Sequence, residues 1–136
     1  MPIAKRGLKS MRILVVDDND QMREMLRLLL EQAGHEVLEA VHGKLALNLL
    51  KEQPVDLIIT DIIMPEMEGI DLIRAIRSID PDARIIAISG GGRIDPRLCL
   101  NMANKLGADR VLQKPFGKSA ILEMVAELLA DRGSPR

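Results

Sequence analysis

Five polar residues follow or close short apolar runs. Asp17 and Asp18 come after Ile13-Leu14-Val15-Val16, Asp61 follows Leu57-Ile58-Ile59-Thr60, Ser89 closes Ile85-Ile86-Ala87-Ile88, and Lys114, with Pro115 behind it, lies just past Val111-Leu112. Singly these residues are ordinary: acidic pairs make turns and helix caps, and loop serines and lysines are mostly solvated. Jointly they have a chemistry. Three carboxylates at close range resist joint ionisation, and a hard cation is the natural way to keep them charged. Mg2+ suits such a set because it prefers oxygen ligands, keeps several waters and commonly takes one or two carboxylates together with phosphate oxygens. A carboxylate facing that ion can act as a nucleophile on phosphorus, forming an aspartyl phosphate. Lys114 would then hold one phosphoryl oxygen as a point charge, and Ser89 would donate a hydrogen bond to another.

The apolar runs are strands, because each has four or five residues and is bounded by turn signals. Longer segments with helical spacing separate them. Asp20 is a candidate N-cap for a helix carrying Met22, Leu26, Leu29 and Ala33, which Gly34 ends. Val37-Leu38 lies in a weaker second strand, and Leu45 and Leu49 mark a helix ending near Pro54. Ile70, Ile73 and Ile76 stripe the third helix. Asp95-Pro96 has the form of an N-cap followed by proline at the first helical position, with Cys99, Met102, Ala103 and Leu106 inward and Gly107 as the stop. Ile121, Leu122, Val125 and Leu129 line a last helix.

Strands and helices in alternation imply a doubly wound (βα)5 α/β domain, a five-stranded parallel sheet with helices on both faces, as in flavodoxin-like folds. In such a sheet the site forms at the carboxyl ends of the strands. The second strand offers nothing comparable there, which suits the order 2-1-3-4-5 with the crevice between strands one and three. The expected division is a flexible basic tail over residues 1–10, carrying Lys5, Arg6 and Lys9, one domain over 11–131, and a short tail over 132–136.

Composition narrows the function further. At 136 residues, 47% hydrophobic and 29% charged, the chain fits one globular domain rather than a disordered or repetitive one. A net charge of −1 gives no field to hold a polyanion or a membrane. Aromatic residues make up 1%, with no Trp or Tyr and one Phe, which argues against base stacking on nucleic acid. The single cysteine, Cys99, cannot close an internal disulfide, and no signal-peptide or membrane-spanning run is present, so a cytoplasmic location is expected. His35 and His42 have no matching Cys/His cluster and are expected to be exposed.

The sequence resembles the receiver domain of two-component response regulators over about Arg12 to Leu129. The resemblance rests on Val15-Val16-Asp17-Asp18, on Thr60-Asp61-Ile62-Ile63-Met64-Pro65 with Glu68-Gly69 behind it, on Ile88-Ser89-Gly90, on Gly107-Ala108-Asp109 and on Lys114-Pro115-Phe116. It implies that Asp61 accepts phosphate from a sensor histidine kinase or a phosphotransfer protein. It further implies that Asp18 and Asp61 bind Mg2+ directly with the backbone carbonyl of Ile63, while Asp17 acts largely through water. Ser89 would be the switch hydroxyl, Lys114 would bridge to Asp61 or its phosphate, and the Lys114-Pro115 bond would be cis. Gly90, Gly91 and Gly92 make the loop after strand four permissive. A downstream effector would dock on the face of helix four, strand five and helix five, and a phosphorylation-dependent homodimer is compatible with the same face.

Two departures stand out. The family usually has Tyr or Phe three residues before the site lysine, a switch position that Val111 fills here. Ile63 and Gly91, each two residues beyond a site residue, offer no polar group to orient an attacking water, so a long-lived phosphorylated form is expected. The leading expectation is a stand-alone signalling module rather than an enzyme. The alternative is a Mg2+-dependent aspartyl-phosphate phosphatase or phosphotransferase, although such an enzyme usually has an acid where Ile63 stands.

Overall fold

The computed structural model describes residues 11–62, 69–89, 101, 105 and 107–130. Chain order gives β1 (Arg12–Val16), α1 (Asp20–Gln32), β2 (Glu36–Ala40), α2 (Gly43–Glu52), β3 (Leu57–Asp61), α3 (Gly69–Ile79), β4 (Arg84–Ser89), β5 (Arg110–Gln113) and α4 (Lys118–Ala130). α4 corresponds to the last helix expected from the sequence. Most of the helix expected from Asp95 lies outside the described residues, and within it Asn101 and Lys105 are helical. All strand pairs are parallel, in the order β2-β1-β3-β4-β5.

Why the strands read as unbroken apolar runs is visible in how their side chains divide. Leu14, Val16, Ile58, Ile85 and Ala87 face one side, against Ala46 of α2 and Leu72, Ile73 and Ile76 of α3. Their neighbours Ile13, Val15, Leu57, Ile59, Ile86 and Ile88 face the other, against Leu26 and Leu30 of α1 and Ile121, Val125 and Leu128 of α4. Successive residues of a strand point to opposite faces, so a strand covered on both sides needs an apolar residue at every position. Edge strands are different: β2 carries Glu36 and Glu39, and each pairs with an arginine, Glu36 with Arg12 and Glu39 with Arg23 and Arg27. Charge at an edge discourages pairing with another chain.

Helix ends correct three expectations. α1 is capped by Asn19, whose side chain accepts from the Met22 amide at 2.9 Å, and Asp20 is the first helical residue. Its buried stripe is Leu26 and Leu30, whereas Ala33 is exposed beyond the helix end. His35 and His42 are half-buried, not exposed: the Nδ1 of His35 accepts from the Met11 amide, and that of His42 caps α2 by accepting from the Leu45 amide. Gly34 and Gly107 both hold φ near +100°, at 102° and 104°, a region that suits residues without a Cβ. At Gly107 a Cβ would also meet the Arg77 side chain at 3.0 Å. No described helix is long and apolar enough to cross a membrane.

Candidate functional site

Parallel pairing brings the carboxyl ends of β1, β3, β4 and β5 to one edge of the sheet. Asp61 is the last residue of β3, in register with Ile88, and is 7% exposed. Asp17 and Asp18 follow β1, the first fully buried and the second exposed. Each of the three offers a carboxylate oxygen lying within 4.8 Å of the other two. Ser89 ends β4 and is buried.

Lys114 joins the strands to the cluster. Its ammonium donates to Asp61 Oδ2 at 3.2 Å, and its backbone amide donates to the Ser89 carbonyl at 2.8 Å. The Lys114-Pro115 peptide is cis. One side chain therefore touches the end of β3 while its own backbone is tied to the end of β4. Val111 is half-buried and pairs with Ala87, on the sheet face covered by α2 and α3; Ser89, two residues after Ala87, shares that face. Ile63, Gly90, Gly91 and Gly92 lie outside the described residues, as do Cys99 and Met64.

The electrostatics of the cluster are unbalanced. Asp17 Oδ1 accepts from the Asn19 amide at 2.9 Å, but Oδ2 is buried without any hydrogen-bond partner. Burial pushes the Asp17 carboxyl above the usual carboxylate range; the Asn19 amide opposes that, Asp61 adds to it, Lys114 opposes it and Asp18 adds to it. Lys114 brings an ammonium to the cluster, bonded to Asp61. A divalent cation is the partner that such a donor set fits, being all oxygen and anionic, with one buried acceptor atom still unsatisfied.

Two residues that sequence reasoning passed over shape the site or its support. Arg23 donates to the Asp17 carbonyl at 2.7 Å. Its only trace in the sequence is its i,i+3 spacing from Asp20, with which it pairs. Arg77, at the opposite end of the sheet, bonds the carbonyls of Gly107, Pro81 and Ala83 and pairs with Asp109 at 3.1 Å.

Comparison with known proteins agrees with this arrangement. The family model for the response regulator receiver domain matches residues 13–126. The chain is 42% identical over 113 residues to the chemotaxis protein CheY of Thermotoga maritima, covering 82% of this chain and 92% of that one. It is 38% identical to the response regulator receiver protein CpdR of Brucella abortus, covering 87% and 96%. Among solved structures, a putative response regulator from Chloroflexus aurantiacus superposes with a TM-score of 0.83 at 31% identity, covering 90% of this chain and 99% of that one. These relatives are signalling proteins, and an aspartyl-phosphate phosphatase or phosphotransferase is not favoured. The chain belongs to the response regulator receiver domain family and is a receiver of two-component signalling.

Proposed function

We propose that Asp61 is the phosphoryl acceptor of this receiver, that Asp17, Asp18 and Asp61 hold Mg2+, and that Lys114 and Ser89 sense the modified side chain. The observation that carries the reading is the contact of Lys114 with Asp61 inside a cluster of three carboxylates, one of whose buried oxygens has no partner. Receiver domains use Mg2+ at their acidic pocket. When bound, the ion supplies positive charge to the carboxylates and to an incoming phosphoryl group. The Ile63 carbonyl, implied as a further ligand, lies outside the described residues.

In the transfer, a carboxylate oxygen of Asp61 attacks phosphorus of a phosphohistidine. The new O–P bond forms as the N–P bond breaks, and the histidine of the kinase or phosphotransfer protein leaves. Phosphorylation brings about −1.5 to −2 charges and three strong acceptor oxygens. Lys114 shifts its ammonium from the carboxylate to one of those oxygens, and the Ser89 hydroxyl donates to another. Because the Lys114 amide is bonded to the Ser89 carbonyl, the two residues respond as a unit, and the ends of β4 and β5 carry the change. The partner surface is then β5, α4 and the helix expected from Asp95. With Val111 at the aromatic position, the movement is read from Ser89 and Lys114 without an inward-swinging ring. The protein acts in the cytoplasm as a binding switch, with chemistry limited to taking up and losing its own phosphoryl group.

The test is incubation with acetyl phosphate and Mg2+ followed by assay of hydroxylamine-labile phosphate. Label should form on the parent chain and be absent from Asp61→Asn. No label on the parent, or equal label on both chains, refutes the assignment.

A further inference from the structure

Every polar atom of Asp17 but one is held. Its amide donates to the Ala40 carbonyl of β2 at 3.1 Å, its Oδ1 accepts from the Asn19 amide at 2.9 Å, and its carbonyl accepts from Arg23 Nη1 at 2.7 Å. What is left is Oδ2, the one buried side-chain nitrogen or oxygen among the described residues that has no hydrogen-bond partner. The direction in which Asp17 presents that atom is therefore set by the other three contacts.

The Asn19 contact is a local consequence of a strand leading into a capped helix, and the Ala40 contact continues the β1–β2 pairing. The third comes from a side chain that ties three segments together. Arg23 is only 13% exposed and gives Nη1 to the Asp17 carbonyl, Nη2 to Asp20 Oδ1 at 2.6 Å in the first turn of α1, and Nε to Glu39 Oε1 at 3.0 Å on β2. Glu39 is itself held from the other side by Arg27 Nε at 3.0 Å, and Arg27 is braced by Glu31 at 3.1 Å. A surface i,i+3 pair alone would be worth little. Here the pairs have a different effect: they orient a planar fork whose remaining nitrogen meets a main-chain carbonyl. A lysine ammonium, a compact charge on a flexible stem, does not reproduce three fixed donor directions.

We propose that Arg23 is a positioning residue for the cation site, fixing the Asp17 carbonyl between α1 and β2 so that the free carboxylate oxygen stays in the cluster with Asp18 and Asp61. The inference rests on the reading of that cluster as a Mg2+ site. Residues that orient metal ligands without touching the ion typically change metal affinity by about 10–100-fold when replaced.

The experiment titrates Mg2+ into the isotope-labelled chain and follows amide NMR signals. In parallel, the melting temperature is measured in chelator and in Mg2+ that saturates the parent. Arg23→Lys and Arg23→Gln should both weaken Mg2+ binding about tenfold or more and shrink the Mg2+-induced rise in melting temperature. Glu39→Gln, which leaves the Asp17 carbonyl contact in place, should weaken binding no more than about threefold. Arg23→Lys with affinity within about twofold of the parent would overturn the proposal, since the charge would suffice without the fork. So would a lower melting temperature in chelator with an unchanged affinity, which would make Arg23 structural only. If the parent chain itself shows no Mg2+-dependent shift at Asp17 or Asp18, the cation reading falls and takes the proposal with it.

Discussion

Asp17→Asn should make the metal-free protein more stable while removing its response to Mg2+. The substitution takes one charge from three carboxylates whose oxygens lie within 4.8 Å of one another. At that separation a pair of like charges costs about 3.5 kcal/mol at an effective dielectric near 20 and about 0.9 kcal/mol in water. Asp61 is buried and Asp18 exposed, so the first repulsion lies toward the upper figure and the second toward the lower. Lys114 offsets part of it through its bond to Asp61. An asparagine keeps the Asn19 amide bond through its carbonyl oxygen and places a donor where Asp17 has its orphaned acceptor. A neutral amide also costs less to bury than a carboxylate whose second oxygen has no partner.

A net gain of about 2–3 kcal/mol follows, or about 7–10 °C in Tm for a domain of this size. Mg2+ stabilises only a chain that binds it, by about 1.4 kcal/mol at ten times Kd and about 2.7 kcal/mol at a hundred times. The parent should therefore catch up with the variant only when Mg2+ is roughly a hundredfold above Kd. With no Trp or Tyr in the chain, scanning calorimetry or far-ultraviolet circular dichroism is the suitable assay rather than intrinsic fluorescence. A variant that melts at or below the parent in chelator, or that keeps the parent's full Mg2+-induced rise, refutes the reasoning.

Lys114→Gln removes the ammonium that partly balances the carboxylates. Its side chain is 26% exposed, so the expected loss in chelator is about 1 kcal/mol, whereas Mg2+ affinity should rise because the ammonium no longer opposes the ion. Parallel falls in stability and affinity would contradict that account. Arg77→Ala leaves Asp109 and the carbonyls of Gly107, Pro81 and Ala83 without their shared donor. A loss of about 2–3 kcal/mol is expected, discounted from the fully buried case, with Mg2+ affinity unchanged; a folded variant that no longer binds Mg2+ would count against a purely structural role.

The sheet was legible because its central strands are buried on both faces, which leaves no polar position along Ile13–Val16 or Leu57–Ile59 to blur the signal. The strand order suited a second strand that brings nothing comparable to the acidic, hydroxyl and ammonium groups following the other strands. Helix detail was less legible for a physical reason. Asp18, Asn19 and Asp20 can all cap a helix, and what selects Asn19 is the shape of the turn before it, in which Asp17 folds its carboxylate back onto the Asn19 amide. Leu28, Leu29 and Leu30 are equally apolar, but only Leu30 of the three is buried, because the sheet defines the face. Arg23 and Arg77 were invisible for a further reason, since their principal acceptors are carbonyls and carboxylates on other elements, up to 32 residues away.

The two ends of the sheet treat charge in opposite ways. At the amino ends, Arg77 and Asp109 close on each other, and Asp109 Oδ2 also accepts from the Ile85 amide at 2.7 Å. Such a site gains nothing from a further ion. At the carboxyl ends, three carboxylates gather beside Lys114 and, among the described residues, one buried acceptor of Asp17 is left over. An imbalance of this kind costs stability, and it is tolerated where the surrounding structure over-determines the geometry; here Asn19, Ala40 and Arg23 hold Asp17 from three directions. The same imbalance makes the site responsive. On the proposed reading, a cation or a phosphoryl group arriving there would alter the partner of Lys114 Nζ, and Lys114 is bonded through its amide to the carbonyl of Ser89. A change in charge on Asp61 would thus reach the ends of β4 and β5 through a single residue, without requiring the core beneath them to repack.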